Sequence, residues 1–75
     1  MDQVEDVPIT GDMIRLGQLL KFAGVAESGA DAGAMITAGD VHVRGEVETR
    51  RGRQLHRGDV VEVVTPVGTT TLTVR

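Results

Sequence analysis

The hydrophobic pattern of this chain changes period once, at Gly39-Asp40, and that change limits the folds open to it. Before this point apolar residues recur at helical spacing, as at Leu16, Leu19 and Leu20. After it, Val41-His42-Val43 and later segments alternate between apolar and polar residues, which is typical of half-buried strands. The pattern therefore predicts an α+β chain, and its 75 residues suffice for one domain.

The helical half is predicted to contain two short helices. The first runs over residues 16–23 and ends at Gly24, a residue suited to the left-handed conformation that often follows a helix. The second opens at Ser28, whose hydroxyl can cap free backbone N–H groups, and closes at Gly39. Two short helices with a tight connection form a helical hairpin.

The other half is predicted to be a small antiparallel sheet. Residues 41–43 and 46–48 alternate around Arg44-Gly45, a two-residue hairpin turn in which Gly45 adopts positive φ. A turn at residues 57–59 precedes further strands at 60–64 and 71–74, and residues 13–15 form a short strand before the first helix.

Charge is unevenly distributed along the chain, whose formal net charge is −3. Residues 1–12 carry four acidic residues and no basic one, and they lack periodicity. We therefore predict an acidic, mobile N-terminal tail over 1–12 and a folded domain over 13–75. Residues 42–57 instead hold five arginines against two acidic residues, which marks a basic stretch.

Composition narrows the possible functions. The chain has no cysteine, which excludes disulfides and thiolate metal sites and fits a reducing cytoplasm. No secretory signal and no apolar run near the ~20 residues of a membrane span is present. His42 and His56 stand alone, so we expect no metal. No nucleophile–base or paired-carboxylate pattern is readable, so we expect no enzyme, no cofactor and no small-molecule substrate.

Several ordered motifs together resemble the S4 family, named after a small-subunit ribosomal protein and built around the alpha-L motif. The resemblance covers residues 14–64 and is closest to short, stand-alone bacterial members. Its residues are the run from Arg15 to Lys21, Glu27-Ser28-Gly29-Ala30, the segment from Gly39 to Gly45, Val47-Glu48-Thr49-Arg50, and Gly58-Asp59-Val60-Val61. This resemblance implies RNA binding through the helix pair and the hairpin edge. Gly17, Gly29 and Arg44 depart from the usual Asp, Arg and Asn or Asp of the family.

The candidate RNA-binding residues fall into three groups. Arginines suit phosphate because the guanidinium is a planar fork of N–H donors. The start of the second helix offers backbone N–H groups and the positive end of a helix dipole, although a plain cap is the commoner role of such a serine. The predicted site comprises the hairpin and loop arginines Arg44, Arg50, Arg51 and Arg53, the helix start Ser28 and Gly29, and the flanking cations Arg15 and Lys21.

Two hypotheses about the function remain open. One is a binder of structured RNA, of ribosomal or transfer RNA type. Phe22, the single aromatic residue, is expected in or beside the core, so such a binder would read phosphate positions and helix shape rather than bases. The other is a protein-interaction module on the same fold, which the acidic residues 1–12 and the scarcity of basic residues in the second helix favour.

Overall fold

The computed structural model describes residues 2–75 and contains the predicted helices and strands in order, together with strands at residues 3–7 and 54–56 that were not predicted. The elements are β1 (Gln3–Val7), β2 (Met13–Arg15), α1 (Leu16–Phe22), α2 (Gly29–Thr37), β3 (Val41–Val43), β4 (Glu46–Val47), β5 (Gln54–His56), β6 (Val60–Thr65) and β7 (Gly68–Val74). The predicted α+β class, with a helix pair ahead of most of the sheet, is confirmed.

Both predicted helices form, and their ends follow from the residues found there. The Ser28 hydroxyl oxygen accepts a hydrogen bond from the backbone N–H of Asp31 at 3.1 Å, so Ser28 caps the start of α2. Gly24 and Gly39 follow the two helices with φ of 79° and 84°, the left-handed conformation that glycine adopts without a Cβ penalty. The helix pair was thus predictable from local signals.

The sheet is mixed rather than purely antiparallel. Within residues 2–75, five strands lie in the order β1-β7-β6-β3-β4, and β2 pairs separately with β5 in an antiparallel ribbon. The contacts β7–β6, β6–β3 and β3–β4 are antiparallel, as predicted. The strand β1 is parallel to β7.

The strand β1 corrects the prediction of a tail without regular structure over residues 1–12. Val7 lies opposite Val74 and is buried, and the N–H of Arg75 donates to the Val7 carbonyl at 2.9 Å. The pairing partner lies at the other end of the chain, and the other residues of β1 are exposed. A strand with one buried side chain and a distant partner leaves no local pattern to detect.

The β3–β4 hairpin turns as predicted. Arg44 and Gly45 have φ of 53° and 84°, so both central residues are left-handed, as a type I′ turn requires. Arg44 is the non-glycine residue with positive φ in the described part of the chain.

The core lies between the helix pair and one face of the sheet. Leu16, Leu19 and Leu20 from α1 are fully buried with Ala32 and Ile36 from α2. The sheet contributes the alternating residues Val41, Val43, Val61, Val63, Leu72 and Val74, and β5 adds Leu55. The opposite sheet face has no covering layer among residues 2–75 and exposes Val4, Val60 and Val64.

Phe22 does not lie in the core. Its side chain remains 64% exposed at the end of α1. A helix turns by about 100° per residue, which carries Phe22 off the stripe formed by Leu16, Leu19 and Leu20. The described helices have seven and nine residues, and neither is long and apolar enough to cross a membrane.

Candidate functional site

The arginine-rich loop, residues 48–53, is fastened to the start of α1 by its own backbone. The N–H groups of Leu16 and Gly17 donate to the carbonyls of Arg53 and Arg51 at 2.9 and 3.0 Å. The first N–H groups of a helix have no partner within the helix, so the loop supplies one for each. This arrangement fixes the loop against the helix pair.

Arg51 lies across both helices because glycines make room for it. A Cβ added to Gly17 would lie 2.6 Å from Cγ of Arg51, which is closer than real contacts allow. A Cβ added to Gly33 of α2 would lie 3.8 Å from both Cδ and Nη1 of the same arginine. The Arg51 side chain therefore runs over Gly17 toward Gly33.

Arg51 forms one wall of a groove of about 430 Å³. We call this the Arg51 groove; it is lined by Arg15, Gly17, Gln18, Lys21, Gly29, Arg51 and Gly52. Its lining contains three cationic side chains, three glycines and no acidic residue. Arg15 is oriented by a 3.2 Å hydrogen bond from its Nη1 to the Gly52 carbonyl.

The cationic side chains of this groove have no acidic partner, unlike the arginines elsewhere in the described part of the chain. In the described part of the chain, the salt bridges involve Arg44, Arg50, Arg53, Arg57 and Arg75. Arg15, Lys21 and Arg51 form no ion pair with an acidic side chain among residues 2–75. Their charge is therefore available to a ligand.

Glu48 forms ion pairs with the guanidinium groups of Arg50 and Arg53, the two other arginines of the loop. Its carboxylate accepts from Nη1 of Arg53 at 2.6 Å and from Nε and Nη2 of Arg50 at 3.0 and 3.2 Å. It also accepts from the backbone N–H of Arg50 at 3.1 Å. The hydrogen bonds from Arg50 and Arg53 lower the pKa of Glu48 from 4.5 to about 2 despite its burial.

Arg44 is likewise held by an acidic residue. Its Nε and Nη2 donate to Oδ1 of Asp59 at 2.9 and 2.8 Å, and Oδ2 of Asp59 accepts from the N–H of His56 at 2.8 Å. Burial raises the pKa of Asp59, but the hydrogen bonds from His56 and Arg44 outweigh it and the pKa is lowered. The ion pair between Arg44 and Asp59 thus connects the hairpin turn to the turn before β6.

The structure brings together four of the eight predicted site residues. Arg15, Lys21, Gly29 and Arg51 share the Arg51 groove. Arg50 and Arg53 line a neighbouring depression that shares Gly52 with the groove. Ser28 caps α2, and Arg44 is bound to Asp59 at the hairpin turn.

Sequence reasoning missed Gly17, Gln18 and Glu48. An isolated glycine inside a helical pattern often has a packing reason, so Gly17 carried a usable signal. The role of Glu48 carried no such signal, because it depends on how the loop folds to bring Arg50 and Arg53 to the Glu48 carboxylate. No cluster of three metal-ligating side chains occurs among residues 2–75.

Comparison with known proteins identifies the family. Residues 7–72 match the S4 domain, and the chain belongs to this family, which confirms the resemblance carried by its motifs. The chain is also similar to a protein of Bacillus subtilis (strain 168) described as probable ribosome maturation protein RlbA. The two are 46% identical over 57 residues, which cover 76% of this chain and 80% of the relative.

Proposed function

We propose that this chain is a non-catalytic module that binds structured RNA of the ribosome or its precursors through phosphate contacts in the Arg51 groove. The observation that carries the proposal is the gathering of Arg15, Lys21 and Arg51, without acidic neighbours in the groove lining, on a chain of net charge −3. Membership of the S4 family and similarity to a probable ribosome maturation protein support RNA and the ribosome as the setting.

The groove has the shape and chemistry that a phosphate backbone requires. Gly29 and Gly52 add no side-chain bulk to its lining, so the ligand can approach closely, whereas the space over Gly17 is filled by Arg51. Arg51 can place a planar pair of N–H donors against two phosphate oxygens, whereas Lys21 acts as a point charge. The proposed site is thus centred on the helix pair, with Arg50, Arg53 and Arg44 at its margins.

Salt dependence of binding tests the proposal. About three phosphate contacts imply a slope of log affinity against log salt of roughly −2 to −3. Arg51→Ala is expected to flatten this slope by about 0.7 to 0.9 and to weaken binding to different structured RNAs about equally. The measurement is filter binding of a ribosomal RNA fragment at several salt concentrations.

Two single-arginine variants serve as controls. Arg75→Ala removes the same charge from the end of the chain, where Arg75 pairs with Asp6 at 3.3 Å, and should leave the slope unchanged. Arg50→Ala removes an arginine that Glu48 already holds, so its effect should be smaller than that of Arg51→Ala. An Arg51→Ala protein that binds like the parent would contradict the assignment of the groove.

A protein-interaction module is the second candidate function. The observation in its favour is the open sheet face with exposed Val4, Val60 and Val64, beside the acidic residues of β1. That alternative predicts weak RNA binding at every salt concentration and a slope near zero.

A further inference from the structure

Phe22 is an exposed aromatic ring whose surroundings link it to the Arg51 groove. Gln18 and Lys21 line the groove and also line a second depression, together with Ile14 and Phe22. The two depressions therefore share a border, and the surface passes from the cationic groove to the ring without interruption.

The chemistry of this depression suits a flat, partly apolar ligand. The Phe22 ring and the Ile14 side chain provide apolar surface, and Gln18 provides a polar group at the edge. Oε1 of Gln18 already accepts from the N–H of Arg15 at 3.1 Å, which orients the side-chain amide. Its NH2 group remains a donor for an acceptor atom on the edge of a base.

We propose that Phe22 is a stacking platform for one unpaired nucleobase of the RNA whose phosphates occupy the Arg51 groove. This inference rests on the proposed function and adds base recognition to it. Aromatic rings stack on bases of any sequence, and an unpaired base in a bulge or loop can leave its helix to do so. The chain would then recognise an irregularity in a structured RNA as well as its backbone.

The platform accommodates a single base because of what lies on its other side. Glu5 and Asp6 line a further depression next to Phe22. Asp6 already pairs with Arg75 at 3.3 Å, but the Glu5 carboxylate repels phosphate and disfavours a continuation of the RNA backbone past the ring in that direction. On a third side Phe22 shares a depression with Ile9, Met13 and Ile14, so a base is favoured over an apolar protein partner because the ring adjoins the cationic Arg51 groove.

Two RNA hairpins with the same paired stem, one of them carrying a single unpaired adenosine, test the proposal. The parent is expected to bind the bulged hairpin roughly tenfold more tightly, within the range measured for base–aromatic stacking. Phe22→Ala should abolish this preference while leaving affinity for the fully paired hairpin and the salt slope unchanged. Because Phe22 is largely exposed, a thermal melt should show that the variant remains folded.

The variant Phe22→Trp adds a direct spectroscopic readout. The chain has no tryptophan and no tyrosine, so this residue would be the sole indole fluorophore. We expect the bulged hairpin to quench its fluorescence and the paired hairpin to leave it largely unchanged, with the preference for the bulge retained.

The outcomes separate this inference from the function on which it rests. If the parent binds both hairpins equally and Phe22→Ala changes neither affinity, the base platform is overturned while RNA binding through the groove stands. If the parent binds neither hairpin at low salt, the proposed function fails and the platform fails with it.

Discussion

At the scale of single residues, Gly17 and Arg51 show how a glycine can determine the position of a neighbouring side chain. A Cβ at position 17 would overlap Cγ of Arg51, and its absence leaves the room that Arg51 fills. The cationic charge missing from α2, which has no basic residue, is supplied by Arg51 reaching toward Gly33. The loop and the helix pair thus form one surface.

Gly17→Ala is therefore expected to weaken RNA binding with at most a small change in stability. The added Cβ would meet Arg51 Cγ at 2.6 Å and displace that flexible side chain from the groove. Alanine is a better helix former than glycine by about 0.5–1 kcal/mol, which counteracts any loss of packing. The measurement is RNA affinity at low salt alongside a thermal melt.

Gly33→Ala is the matched control for this substitution. Its new Cβ would lie 3.8 Å from Arg51, an ordinary contact, so stability should rise while RNA affinity remains at the parental value. Equal affinities for both alanine variants would show that the position of Arg51 is unimportant.

At the scale of elements, local patterns predicted much of the fold. The Ser28 cap, the turn at Gly45 and the strands around it depend on neighbours in sequence, and each was predicted correctly. The strand β1 and the exposure of Phe22 were not, because each depends on where distant segments pack. The same holds for the site: the basic loop was visible, but the pairing of Arg50 and Arg53 with Glu48 was not.

The hairpin gives a stability prediction. Gly45→Val should destabilise the domain by roughly 1–3 kcal/mol, because a β-branched residue tolerates left-handed backbone poorly. The φ of Gly45 is 84°, and no atom lies within 4 Å of an added Cβ, so the penalty is conformational. For a chain of this size each 1 kcal/mol lowers Tm by about 4–8 °C. Gly45→Asn should cost much less, and equal melting temperatures for Val and Asn would contradict the turn assignment.

The loop around Glu48 gives a prediction on pH. Its pKa is lowered to about 2, so its contribution to stability is fully present above the unfolded value of 4.5 and is lost as pH falls toward 2. Glu48→Gln should destabilise the domain by roughly 1–2 kcal/mol at pH 7, because its NH2 group cannot accept from arginine.

Urea unfolding of the parent and of Glu48→Gln at a series of pH values isolates this contribution. The difference between their free energies of unfolding should be constant above pH 5 and shrink between about 4.5 and 2. A difference that does not change with pH would show that the glutamine acts through packing alone.

At the scale of the whole molecule, the proposed function requires an acidic chain to bring its cationic groove to a polyanion. The molecule measures 30 × 23 × 23 Å, and at 0.01 M salt charges interact over about 30 Å, so every carboxylate affects RNA binding. At 0.1 M salt the range is about 10 Å, and only nearby carboxylates matter. Glu5 and Asp6 of β1 border Phe22 and are therefore better placed to oppose RNA than Glu46 of β4 and Glu62 of β6.

Neutralising three of the four acidic residues in residues 1–12 should therefore tighten RNA binding. Deleting the segment would remove β1 and the buried Val7, so charge is better changed by substitution. The variant with Asp2→Asn, Glu5→Gln and Asp6→Asn brings the net charge from −3 to 0 and can keep the hydrogen bond that Thr69 donates to residue 2. A control with Asp40→Asn, Glu46→Gln and Glu62→Gln makes the same change elsewhere.

At 0.01 M salt both variants should bind more tightly than the parent, and at 0.1 M the advantage should persist only in the N-terminal variant. Filter binding at both salt concentrations decides the matter: identical behaviour of the two variants would mean that net charge alone governs affinity, and no gain in either would mean that these carboxylates do not oppose RNA.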